Sequence, residues 1–264
     1  MLAKARAIVV RDARLAATYR LQFAMHWIGI AAAVVGLWFM SKLVAGSHAA
    51  ALVGMSYFDY ALLNIAFLTL ESGALEGCEK VIRNDQVFGT LQSVLATPTS
   101  LGVVALGSTA WSFAFALLQI ACYLLFGWLF GLRLDHIAPL SLMAFVVLSV
   151  AATIPLGIMS TAMVIVFKQG APVQFILRNA ATILAGVLFP IALLPGWLQH
   201  LSWMLPMTHV LNGVRGAFNG VSLDRLAPDA LWLAVASLAL LPLALYTFRV
   251  AVVRAKFDGT LSHY

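Results

Sequence analysis

The sequence predicts an all-α integral membrane protein with six transmembrane helices, and three observations carry this prediction. Of the 264 residues, 62% are hydrophobic and only 10% are charged, whereas a typical soluble domain has about 25% charged residues. Six apolar stretches are long enough to cross a bilayer, which takes about 20 residues. The basic residues are distributed unevenly between the loops. Together these features exclude a soluble globular protein, a disordered chain and a nucleic-acid-binding domain.

The predicted spans leave little of the chain outside the bilayer. They cover residues 22–44, 51–71, 102–130, 139–167, 176–194 and 230–250. Residues 1–264 therefore form a single transmembrane domain, with the six-span region at 22–250 and a cytoplasmic tail at 251–264. Residues 1–21 can form an amphipathic helix on the membrane surface. The alternative for this segment is a frayed basic tail held by anionic lipids.

The basic residues predict the orientation of the chain. Twelve of the 16 Lys and Arg residues fall on the side that holds both termini, and four fall on the other side. Cytoplasmic loops carry an excess of Lys and Arg. We therefore expect both termini to be cytoplasmic, as an even number of spans requires.

A cytoplasmic segment between the second and third spans, residues 79–100, predicts a short amphipathic helix. Its apolar residues share one helical face and are Val87, Phe88, Leu91, Val94 and Leu95. Pro98 ends the pattern. Because this helix is too short and too polar to cross the bilayer, a partner protein or the lipid surface must cover its apolar face.

The outer segment between the fifth and sixth spans, residues 195–229, is too apolar for a free loop. Leu198, Leu201 and Trp203 are examples. The segment is also too short, and too broken by Pro195 and Pro206, to cross the membrane. We expect short re-entrant helices that dip into the outer leaflet, where irregular structure is tolerated if it packs against protein.

Asp59 lies about eight residues inside the second predicted span. A carboxylate at such depth costs about 2.5–3.5 kcal/mol on insertion scales. Tyr57, Tyr60 and Asn64 are close to it in sequence. Two interpretations stay open for this group: a polar lining of a transport path, or structural hydrogen bonds to another span.

Catalytic motifs are absent from the sequence. There is no GxxxxGK[ST], HExxH, CxxC or GxSxG pattern, and the six histidines are scattered, so we expect neither nucleotide hydrolysis nor a metal site in this chain. Glu71, Glu76 and Glu79 cluster at the cytoplasmic end of the second predicted span. They are either a catalytic carboxylate pair or, more simply, a solvated helix end that balances Lys80 and Arg83.

Two stretches carry a recognisable pattern. The first has a basic residue, Gly-Thr-Leu, an amide where an acid is usual, and Leu-x-Thr-Pro, at Arg83, Gly89, Thr90, Leu91, Gln92, Leu95, Thr97 and Pro98. The second has a Pro-x-x-x-hydrophobic-Pro-x-Trp run, a later Pro-hydrophobic-Thr and a downstream Arg, and its marked residues are Pro195, Trp197, Trp203, Pro206 and Arg215. Both resemble permease subunits of type-2 ATP-binding-cassette (ABC) exporters, which serve drug-resistance, nodulation-factor and polysaccharide export.

The resemblance implies a homodimer in the bacterial inner membrane that works with two copies of a separate ABC ATPase. ATP and Mg would lie on that partner, with no cofactor on this chain. The helix around residues 87–95 would then be a coupling helix that docks on the ATPase. The cargo would be an amphipathic small molecule, a drug or a lipid-linked compound, exported from the cytoplasm or inner leaflet along a path lined partly by the second and fifth spans.

Other interpretations make different demands on the sequence. A polysaccharide or glycolipid export permease belongs to the same class. An ion-coupled secondary transporter using Asp59 would work without an ATPase and would favour internal repeats, of which we find no convincing example. A lipid-modifying membrane enzyme would depend on the acidic group at Glu71–Glu79. A scaffold subunit would have no transport activity of its own.

Overall fold

The computed structural model describes residues 20–44, 55–87, 101–167, 179–180 and 182–257, and no described residue is in a β-strand. The helices whose bounds are described are α1 (Arg20–Val44), α2 (Tyr57–Val87), α3 (Leu101–Leu129), α4 (Pro139–Phe167), α5 (Gly196–Trp203), α6 (Pro206–Phe218) and α7 (Ala227–Phe257), and a 3-10 turn at Ile191–Leu193 precedes α5. The predicted surface helix at 1–21 lies outside the described residues except for its last two. The first seven residues of the predicted tail at 251–264 belong to α7, which continues to Phe257, and the rest of the tail lies outside the described residues.

Within the described ranges, four helices are long and apolar enough to cross a membrane. The qualifying stretches are Phe23–Val44 in α1, Trp111–Leu129 in α3, Pro139–Met163 in α4 and Ala227–Ala251 in α7. They correspond to the first, third, fourth and sixth predicted spans. Most of each stretch is unburied, and large apolar side chains such as Leu43, Leu140 and Leu238 are strongly exposed, which is the surface expected of a helix in contact with lipid.

The second predicted span is wrong at both ends. It is α2, which begins at Tyr57 rather than at residue 51 and continues unbroken past Glu71 to Val87. Its 31 residues give a length of about 46 Å at 1.5 Å per residue. A span predicted from uniform apolar character ends at the first charged residues. Glu, Lys and Leu are nevertheless good helix formers, so the helix itself can continue beyond that point. The expected loop therefore begins as helix.

α2 lies at the centre of the described structure, packed against α1, α3, α4 and α6. Nearly all of its side chains from Tyr57 to Leu75 are buried or half-buried. Glycines on the neighbouring helices permit this close approach. Gly157 of α4 lies against the carbonyl of Ala74, and Gly127 of α3 lies against Leu62, so that an added Cβ would collide with either. Because protein rather than lipid surrounds this part of α2, polar residues are tolerated within it.

The fifth predicted span, residues 176–194, is wrong at its end. The described helical residues stop at Leu184, and Gly186 adopts a positive φ of 70°. Glycine enters this conformation without steric cost, and Pro190 cannot continue a helix. Residues 185–190 are therefore non-helical, and we call them the helix break.

The helix break is followed by a compact group of short helices. α6 packs against α4 and α7, and Gly213 of α6 lies so close to the Phe145 ring that a Cβ would collide with it. α4 and α7 pack together along their length. Two short helices thus occupy the segment in which the sequence predicts re-entrant helices, at the same end of the bundle as the start of α2.

Candidate functional site

The predicted coupling helix lies mostly outside the described residues. Arg83 and Val87 belong to the last turns of α2. The remaining predicted residues are outside the described ranges, and they are Phe88, Gly89, Thr90, Leu91, Gln92, Leu95 and Pro98. α2 therefore leads directly into this segment, and the predicted docking role of these residues stays a prediction.

At the opposite end of α2, three polar side chains hold the helix break. The Tyr57 hydroxyl donates to the Leu188 carbonyl at 3.0 Å, and the Tyr60 hydroxyl donates to the Gly186 carbonyl at 2.5 Å. The Asn64 amide donates to the Val187 carbonyl at 2.9 Å and to that of Gly186 at 3.3 Å. Spacings of three and four residues place the donors on one face of the helix. We call Tyr57, Tyr60 and Asn64 the polar grip.

The polar grip supplies hydrogen-bond donors to backbone carbonyls that the helix break leaves without them. A chain that leaves the helical conformation loses the intrahelical donors to its carbonyls, and an unsatisfied carbonyl away from water costs several kcal/mol. Tyr and Asn side chains supply the missing N–H and O–H groups. Three of the four predicted path residues therefore have a structural partner, while their role in lining a transport path stays a prediction.

Asp59, the fourth predicted path residue, does not join the polar grip. Because α2 begins at Tyr57, Asp59 lies in its first turn and not deep within a span. The side chain is 8% exposed, and its Oδ1 has no hydrogen-bond partner in the described structure. Burial disfavours the charge of this carboxylate, and the Arg133 guanidinium opposes that effect by attracting it electrostatically. A carboxylate in the first turn is favoured by the helix dipole.

Glu71, rather than Asp59, is the acidic residue that lies deep within the second helix. It lies in the middle of α2 and is only 7% exposed, and within the described ranges its Oε2 accepts no hydrogen bond. The expected solvated helix end at this residue is therefore wrong. Nor do the described residues contain a group of three His, Cys, Asp or Glu side chains that could hold a metal ion.

Arg215 of α6 connects the outer helices to the polar grip. Its guanidinium lies 4.9 Å from the centre of the Tyr60 ring, a cation–π arrangement. Its Nε also donates to the Leu211 carbonyl at 3.0 Å, and its Nη2 donates to the Asn212 Oδ1 at 2.5 Å. The sequence pattern marked Arg215 but gave no indication of its contact with Tyr60.

His209 forms a second connection, which the sequence reasoning missed. Its Nδ1 lies 2.5 Å from the Asp229 carboxylate and its Nε2 lies 2.9 Å from the Trp203 carbonyl. Its ring stacks on Trp232 with centroids 4.2 Å apart. The residue thereby joins α5, α6 and α7. Its position three residues after Pro206, inside the family-like stretch, was the available signal.

The other marked outer residues lie at helix ends or on the surface. Pro195 precedes α5, and Pro206 opens α6, where a residue without an N–H is well tolerated. Trp197 is 67% exposed and Trp203 is 48% exposed. Exposed indole rings on a short helix are typical of residues at a membrane surface.

The comparisons with known proteins agree with this architecture. The family described as ABC-2 type transporter matches residues 14–219, a range that contains α1 to α6 and both patterned stretches. A search among curated proteins gives no match. The matched domain is a transmembrane permease component that is typically not catalytic itself. The chain therefore belongs to the ABC-2 type transporter family, as the membrane-spanning permease of an ABC transporter.

Proposed function

We propose that the chain is the permease subunit of an ATP-driven exporter, in which two copies work with two copies of a separate ABC ATPase. The cargo is an amphipathic small molecule, a drug or a lipid-linked compound that leaves the cytoplasm or the inner leaflet. The observation that carries the proposal is the course of α2. One helix runs from the helix break to the predicted coupling segment.

The charges of α2 indicate which of its two ends faces the cytoplasm. Lys80 and Arg83 lie near its Val87 end, and the excess of Lys and Arg on that side favours the cytoplasm. The end with α5 and α6 then faces outward in the bacterial inner membrane, and both termini are cytoplasmic. A movement imposed by a cytoplasmic ATPase at the coupling segment thus enters the permease at one end of its central helix.

The energy source lies on the partner. Because this sequence has no phosphate-binding GxxxxGK[ST] pattern, ATP and Mg are assigned to the ATPase subunit. Nucleotide binding there can shift the permease only if the ATPase binds its alternative conformations with different affinity. An apolar face at Phe88 and Leu91 is a suitable contact surface for that purpose, since it needs a cover outside the bilayer.

The test is ATP-driven transport by the permease and its ATPase in proteoliposomes, with a fluorescent amphipathic dye as the probe. Phe88→Ser and Leu91→Ser should lower transport at least tenfold, a loss of about 1.4 kcal/mol in coupling, while ATP hydrolysis continues. Ser93→Ala, on the polar face, is the matched control.

Normal transport with both apolar residues replaced would overturn the coupling role. Dye transport that needs an ion gradient and no ATPase would instead favour the secondary transporter with Asp59 as its ion site.

A further inference from the structure

We propose that α2 carries movement from the ATPase side to the outer segment, and that the polar grip delivers this movement to the helix break. Tyr57, Tyr60 and Asn64 are then positioning residues of the transport cycle. The inference rests on the proposed function, because it needs an ATPase-driven displacement at the Val87 end. The inference adds the place that the displacement reaches, which is the helix break.

The first support is the stiffness of α2. The helix is continuous over 31 residues and contains no proline, whereas α4 and α7 contain Pro155 and Pro242. Sharp kinks in helices arise at proline and at Gly/Ser pairs. The Ser72-Gly73 pair of α2 stays within continuous helix, and Gly73 lies against Ser112 and Ala116 of α3. The contacts at Leu62 and Ala74 also enclose its middle. A close-packed helix transmits displacement along its axis rather than absorbing it by bending.

The second support is the dependence of the helix break on α2. In the described part of the chain, no backbone N–H outside regular helix donates to the carbonyls of Gly186, Val187 or Leu188. The donors to these three consecutive carbonyls are the side chains of the polar grip. The N–H groups of Gly186 and Val187 bond back to the Ile183 and Thr182 carbonyls at 3.4 and 3.3 Å. The carbonyl side of the break is therefore the side whose position follows the first turns of α2.

The third support is the continuation from the break into the outer helices. The 3-10 turn is closed by a hydrogen bond from the Leu193 N–H to the Pro190 carbonyl at 3.0 Å and leads into α5. Arg215 reaches the Tyr60 ring directly from α6. A shift of Tyr60 therefore reaches the outer segment through the break and through α6.

Hydrogen–deuterium exchange of the assembled permease–ATPase complex tests the inference. Exchange is followed with and without a non-hydrolysable ATP analogue and Mg²⁺, in peptides covering residues 79–87 and 186–194. In the native complex we expect the nucleotide to change exchange in both peptides. In Tyr60→Phe and in Asn64→Leu we expect the change at 79–87 to persist and the change at 186–194 to be lost.

Tyr246→Phe is the matched control, because it removes a hydroxyl from an exposed ring on α7. A merely structural role of the grip would raise exchange at 186–194 equally with and without nucleotide. Tyr60→Phe removes a single hydroxyl and keeps the ring beneath Arg215, so it provides a test if Asn64→Leu fails to fold.

Two results would overturn the inference while leaving the proposed function intact. One is a native complex in which the nucleotide changes residues 79–87 but not residues 186–194. The other is a nucleotide-dependent change at 186–194 that survives in Tyr60→Phe and Asn64→Leu. No change at either peptide of the native complex would contradict the proposed function, and this inference with it.

Discussion

The two ends of α2 differ in their residues, and the difference fits the separate roles that we propose for them: one end is held by the protein and the other contacts the ATPase. At the Tyr57 end, buried polar side chains bond to backbone carbonyls of the same chain. At the Val87 end, Glu76, Glu79, Lys80 and Arg83 crowd the sequence, and the predicted coupling segment with Phe88 and Leu91 follows. Hydrogen bonds therefore fix one end within the protein, and for the other end the sequence predicts contact with a partner.

The largest loss of stability is expected at the Tyr57 end of α2, where the polar grip binds the helix break. Tyr60→Phe combined with Asn64→Leu leaves the Gly186 and Val187 carbonyls without their donors, at about 1–3 kcal/mol for each unsatisfied group. We therefore expect a loss of about 2–6 kcal/mol, measured as a fall in the thermal midpoint of the purified permease.

Tyr246→Phe, with its hydroxyl on the exposed face of α7, should leave that midpoint unchanged. A double variant as stable as the native permease would show that the polar grip does not hold the helix break, and the comparison between the two ends would fail.

A smaller effect is expected where the outer helices meet α7. His209→Leu leaves the Asp229 carboxylate and the Trp203 carbonyl without their ring partner. Because Asp229 is partly exposed and water can replace one bond, we expect a loss of about 1–2 kcal/mol. Thermal unfolding is again the measurement, with the exposed His136→Leu as control. Equal midpoints for the two variants would mean that His209 does not anchor α6 to α7.

The smallest effect is expected at Asp59. Replacing it by Asn removes a first-turn carboxylate that the helix dipole favours by about 0.3–1 kcal/mol, but whose charge is disfavoured by burial with Oδ1 unpartnered. Because these effects oppose each other, we expect a change in stability of less than about 1 kcal/mol with transport intact, and Asp135→Asn, in the exposed loop after α3, as the control without effect. Asp59→Ala should behave in the same way. Lost transport at native stability would instead support the predicted path role.

Uniformly apolar helices were predictable from the sequence, and helices enclosed by protein were not. α4 has the bounds that its unbroken apolar run predicts, Pro139–Phe167. α2 does not, because an apolar surface is required only where lipid is the neighbour. Because α2 begins at Tyr57 and continues to Val87, Asp59 lies at a helix end and Glu71 lies in the middle of the helix.

The end of the fifth span was hidden for a related reason. Residues 185–194 are as apolar as a true span, and the positive φ at Gly186 cannot be read from hydropathy. In the candidate site, the sequence singled out Tyr57, Asp59, Tyr60 and Asn64 as path residues and Arg215 as part of the outer segment. It did not indicate that Tyr60 contacts Arg215 or that Asp59 has other neighbours, because such partners depend on tertiary contact. His209 was missed because its position three residues after Pro206 does not indicate its contacts with Asp229 and Trp232.

The affinity of the ATPase subunit for the permease in lipid nanodiscs tests the central claim most directly, namely that one end of α2 is held by the chain and the other serves the partner. We predict that Leu91→Ser weakens binding at least tenfold, about 1.4 kcal/mol, with an unchanged thermal midpoint of the isolated permease. Asn64→Leu should lower the midpoint and leave binding close to native. The reverse pattern, or equal effects of both variants on binding, would contradict the account.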